Sequence, residues 1–108
     1  MDADVSRAQV HGKLHTLDEN AIISALVPMF GTCNKKQDLQ FEKDGFDVQI
    51  YESNEKFLLS AAVHNKTPQE AIALVRSLGN RLEAAKIPYS LEIEDDADMW
   101  ERFESSPT

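Results

Sequence analysis

The sequence predicts an α+β fold in which two helices cover one face of a mostly antiparallel sheet. Three observations carry this. Two segments, one from Ile22 to Phe30 and one from Ala71 to Ala85, repeat apolar residues at helical spacing along a single stripe. Other segments alternate apolar and polar residues, as a strand with one buried face must. Between two alternating runs stands Asp44-Gly45, a strong hairpin signal, because a type I′ turn needs positive φ at both central residues. One-striped helices and one-faced strands close a core by packing on each other in two layers.

The first strand runs over Gln9 to His15, with Val10, Gly12 and Leu14 on one side and His11, Lys13 and His15 on the other. A helix follows. Thr16 with Glu19 three residues on forms a capping box, and Asp18 competes for the cap. Its stripe is Ile22, Ile23, Leu26, Val27 and Phe30; Pro28 kinks or shortens the last turn, and Gly31 ends it. "TCNKKQ" reads as loop. Leu39 to Lys43 is a strand that either lengthens its neighbour through a bend or adds an edge. Phe46, Val48 and Ile50 then alternate with Asp47, Gln49 and Tyr51, "ESNE" turns the chain, and Phe57 to His64 is apolar enough for a central strand.

The second helix is the best marked. Thr67 caps it, Pro68 takes the first helical position and Glu70 closes the box. Its stripe is Ala71, Ile72, Val75, Leu78, Leu82 and Ala85. Gly79 lies within it at a cost of roughly 1 kcal/mol relative to alanine, which implies close packing against the sheet. Pro88 stops the helix. Tyr89, Leu91 and Ile93 alternate with Ser90, Glu92 and Glu94 as a last strand. The order β-α-β-β(-β)-α-β is simplest as a ferredoxin-like two-layer sandwich, a fold that hosts many unrelated functions. We expect one domain over 1–108, with a compact part at about 8–95 and an acidic segment at 96–108.

Composition bounds the function. The chain has 108 residues, 42% hydrophobic and 28% charged, which suits one globular domain. Its most apolar run, Ala21 to Phe30, is too short to span a bilayer, and "MDADVSRAQV" carries acids where a secretory leader needs bases. With one cysteine, Cys33, no intrachain disulfide forms, and a cytoplasmic location is expected. The net charge of −8 repels nucleic acid and anionic membranes and attracts basic proteins. From Ile87 onward, seven acids face one base, Arg102.

No motif fixes a reaction. His11 and His15 are four apart on a strand, roughly 13 Å at about 3.3 Å per residue, too far for one metal ion. Glu94, Asp96 and Asp98 match the first places of a calcium loop, but Met99 stands where glycine is needed and Ser105 where the bidentate Glu belongs. The four glycines are scattered at 12, 31, 45 and 79, so no phosphate loop exists. Neither a metal nor a cofactor is expected, and no catalytic residue is assigned. Lys35 and Lys36 near Cys33 could lower its pKa, but a half-buried structural thiol is the simpler account.

Two surfaces remain. His11, His15, His64 and Tyr51 mark the sheet face turned away from the helices. At the other end, a short helix would bring Trp100 and Phe103 together as an aromatic anchor rimmed by Glu94, Asp96, Asp98 and Glu101. The plainer alternative is that this segment folds back on its own domain. The expectation is a non-enzymatic module that binds a basic protein, as an inhibitor, immunity protein or chaperone does. Two alternatives stay open: a ligand-binding or enzymatic site on the open face, and a homodimer.

Overall fold

The computed structural model describes residues 6–35, 38–95 and 99–105. The chain runs β1 (Ser6–Leu14), α1 (Glu19–Phe30), β2 (Asn34–Lys35), β3 (Leu39–Lys43), β4 (Phe46–Ser53), β5 (Lys56–Lys66), α2 (Pro68–Ala84), β6 (Tyr89–Glu94) and β7 (Met99–Glu104). Among the described residues these strands form one sheet in the order β2-β3-β4-β5-β1-β6-β7, antiparallel at every pairing. The α+β class stands.

Local chemistry explains the connections. Asp44 and Gly45 sit at φ 51° and 84°, and Asn54 and Glu55 at 50° and 66°, so both hairpins turn through two residues of positive φ. At α2 the capping box is complete: Thr67 Oγ1 accepts from Glu70 N at 3.2 Å, and Glu70 Oε1 accepts from Thr67 N at 2.9 Å. At α1 the cap is Asp18, not Thr16. Asp18 Oδ1 accepts from Ala21 N at 3.1 Å, while Thr16 Oγ1 accepts from Asp18 N and holds the cap itself. Pro28 does not shorten this helix, which continues to Phe30. Its last turn carries no basic residue of its own; α2 lends one, as Arg81 Nε donates to Ala25 O at 3.2 Å.

A single apolar cluster fills the space between helices and sheet. Val10 and Leu14, Phe46, Val48 and Ile50, Leu59 and Val63, and Leu91 and Ile93 enter it from the strands. Ile22, Leu26, Val75, Leu78 and Leu82 enter from the helices. Phe30 joins α1 to the hairpin, its ring 5.4 Å from that of Phe41 and 5.6 Å from that of Phe46. Gly79 is the close approach its position implied: a Cβ there would lie 2.8 Å from Tyr89 Oη. Burial and the nearby Glu83 both raise the Tyr89 phenol above its ordinary pKa. One stripe assignment needs correcting: Ala85 is the exposed C-cap residue.

The largest departure is at the acidic end. Residues 99–104 form neither a helix nor a free tail; they pair with β6 as the outer strand. A strand is favoured here because α2 supplies a partner for its inner face. Arg76 reaches Glu101 at 3.5 Å and lies 5.7 Å from the centre of the Phe103 ring.

Candidate functional site on the open sheet face

Side chains alternate along each strand, so the pairing registers define what the uncovered face presents. One row of cross-strand neighbours runs Asn34, Gln40, Gln49, Ser60 and His11, then continues through Glu92 to Arg102. The next row runs Glu42, Asp47, Ala62, Gln9 and Glu94. Beyond the first row lie Tyr51, Leu58 and Lys13, which are bulkier.

The two rows enclose a concavity of about 700 Å³. Its floor is β5, where Ser60 and Ala62 have almost no side chain to fill it. Gln9 and His11 of β1 line one side, and Asp47 and Gln49 of β4 line the other. Gln40 and Glu42 of β3, with Thr32 and Asn34 from the segment after α1, complete it. Gln49 Nε2 donates to Asp38 Oδ2 at 2.6 Å, which fixes its carboxamide.

Charge on this face is unequal. Among the described strand side chains, Glu42, Asp47, Glu92, Glu94 and Glu104 stand against Lys13, Lys56 and Arg102. Arg102 is shared, 3.7 Å from Glu92 and 3.5 Å from Glu104. His11 lies 3.8 Å from Glu94 and His64 3.5 Å from Asp47. Such exposed pairs add little stability.

Glu42 and Asp47 face each other directly across the β3–β4 hairpin. The hydrogen bond to Asp47, then its negative charge, raises the Glu42 carboxyl above its ordinary pKa of 4.5, and slight desolvation adds to this. A folded-state pKa above the unfolded one means that this pair's contribution is fully present below the unfolded pKa and is lost as pH rises through the folded value. We therefore expect Glu42→Gln to melt above the parent near neutral pH, where an amide replaces one of two repelling carboxylates. The two melting temperatures should converge as pH falls toward 4.5. Thermal melts of both proteins across this range check it; a Glu42→Gln variant that melts below the parent at neutral pH contradicts the sign.

The histidines do not converge. His15 lies beyond the end of β1, its backbone N–H donating to Pro88 O at 2.8 Å. His64 is four residues along β5 from Ser60, the partner of His11, or roughly 13 Å. Among the described residues no three His, Cys, Asp or Glu side chains could hold one metal ion. Only His11 of the four expected face residues lines the concavity; Tyr51 is exposed a row away and His64 borders it through Asp47.

The aromatic anchor is also rearranged. Trp100 and Phe103 are half-buried and pack against the core. Phe103 pairs with Leu91 on the helix side, and a register shift between Ile93 and Glu94 lets Trp100 depart from simple alternation. Of the rim acids, Glu101 is paired with Arg76 on the helix side and Glu94 belongs to the open face. Asp96 and Asp98 lie outside the described residues. Cys33 is half-buried beside the core.

Of the residues that build the concavity only His11 was singled out from sequence, although a signal for the others existed. The two hairpin turns alone set Gln40 opposite Gln49, Glu42 opposite Asp47, and those opposite Ser60 and Ala62. Among the described residues no helix is long and apolar enough to cross a membrane. Comparison with protein-family models, curated proteins and solved structures finds no match.

Proposed function

We propose that this chain is a non-enzymatic protein-binding module whose open sheet face receives a basic protein. The observation that carries the proposal is a sheet face that, among the described strand side chains, holds five carboxylates against three cationic groups. Such a field attracts a basic surface and speeds its arrival. The same field opposes a face-to-face homodimer, since each copy would bring like charge to like. A small-molecule site is supported by the volume of the concavity, but such sites are lined mainly by apolar and aromatic groups. Here carboxamide, carboxylate, hydroxyl and imidazole groups make up the larger part of the lining.

The contact moves, in this proposal, from Trp100 and Phe103 to the open face, because both aromatics are engaged by their own domain. The ferredoxin-like framework and the cytoplasmic location belong to the same proposal. The central order β6-β1-β5-β4, with α1 after β1 and α2 after β5, supports the first; three further strands depart from it. A lone cysteine supports the second.

The test is the kinetics of a basic protein captured by the chain from native lysate. Its association rate should fall about tenfold or more as salt rises from roughly 0.05 to 0.5 M, while dissociation changes much less. A rate indifferent to salt, or capture of acidic and neutral proteins only, overturns the proposal.

A further inference from the structure

The width of the concavity restricts what can enter it. The part of it that lies over β5 has side walls on β1 and β4, the two neighbours of β5, whose backbones are about 10 Å apart, twice the spacing of adjacent strands. Beyond β4 the concavity continues over β3 to Gln40 and Glu42. An α-helix with its side chains measures about 10–12 Å across and does not fit between side chains that rise from both walls. An extended chain, about 5 Å wide in the plane of a sheet, does. Along β5, the row of Leu58 closes one end and His64 the other, a length of roughly 20 Å or about six extended residues.

The wall chemistry fits the same occupant. Gln9 and Gln49 present carboxamides from the two walls, each with a donor and an acceptor, the same pair that a peptide group offers. Ser60 and Ala62 leave the floor low enough for a backbone to lie on it. On the β3–β4 side, Glu42 and Asp47 add two carboxylates, which suits a lysine or arginine side chain projecting from that backbone.

We propose that the trough over Ser60 and Ala62 seats an extended, basic segment of the partner protein, its backbone against the carboxamides of Gln9 and Gln49 and a cationic side chain at Glu42 and Asp47. This rests on the binding of a basic partner argued above and names how that partner is engaged. It also explains why the face has carboxamides at its centre and most of its charge toward the flanks.

The test uses the whole chain and a blocked peptide of alternating threonine and lysine, about six residues long, a composition that favours an extended backbone. Amide resonances are followed during titration, and affinities are compared for three variants whose melting curves confirm folding. Glu42→Gln with Asp47→Asn removes two charges inside the trough; Glu92→Gln with Glu94→Gln removes two charges outside it; Ala62→Phe fills the trough and leaves the charge unchanged. We expect shifts concentrated at 40–42, 47–49 and 60–62. The first and third variants should weaken binding about tenfold, and the second only about two- to threefold. Equal losses in both charge variants, with none from Ala62→Phe, would mean that charge alone binds the peptide; the trough falls and the basic-partner reading stands. A peptide that fails to bind while a captured basic protein still associates has the same meaning. Should no basic probe associate at all, both fall. If Ala62→Phe does not fold, the two charge variants decide the matter.

Discussion

Leu78→Ala lowers the stability of this domain by about 2–5 kcal/mol, the range for truncating a fully buried leucine. Leu78 has no exposed surface, and it shares the core with Val75 and Leu82 of its own helix and with Leu91 and Ile93 of the sheet. The loss has two parts: the transfer of the missing carbons out of water, and the cavity left where they were. Relaxation is limited here because Gly79 already brings α2 into contact with Tyr89, so the helix cannot move further toward the sheet. The upper half of the range is therefore expected. Chemical denaturation with an unchanged slope would report the difference cleanly, and a change below a few tenths of a kcal/mol would mean that α2 packs through another face.

Truncation after Glu94 destabilises the domain by roughly 2–4 kcal/mol, the burial of two partly covered aromatic side chains and the strand that carries them. The sequence alone suggests that such a chain folds unimpaired, since mutual repulsion among the acids only opposes compaction. The structure argues otherwise. Trp100 and Phe103 rest on the core, Arg76 holds Glu101 and Phe103, and Tyr89 exchanges hydrogen bonds with Ser105, whose Oγ accepts from Tyr89 N and whose N–H donates to Tyr89 O. Circular dichroism melts of the full and shortened chains measure the loss. An unchanged melting temperature would place β7 outside the cooperative unit.

The legible parts of this fold were those with a local cause. Positive φ at Asp44-Gly45, the Thr67 box with Pro68, and the alternation through Phe46 to Ile50 each follow from neighbours a few residues apart. What escaped depended on distant partners. Asn34 and Lys35 form a strand only because Gln40 and Leu39 lie beside them, and two residues carry no period. In β7 the alternation is broken by a bulge and hidden in an acidic run, so Trp100 and Phe103 looked like one face of a helix. The trough combines residues from strands far apart in the chain. Two of its three pairings could be counted from hairpin turns, but the placement of β1 against β5, which brings in Gln9 and His11, is a matter of topology.

The outer position of β7 also matters when the domain is partly open. A last strand always offers unpaired N–H and C=O groups, and a long apolar one invites a second molecule to add on. Here that border is a short strand with a bulge and three charged side chains, Glu101, Arg102 and Glu104. Behind it lies β6, whose Tyr89, Leu91 and Ile93 are buried on one side. If β7 detaches, β6 becomes the border, and its hydrogen-bonding groups and apolar row meet solvent together. The acids that seemed to do nothing for folding then act as gatekeepers against fibre-like stacking, and a chain without them should be lost to aggregation during refolding faster than its reduced stability alone would cause.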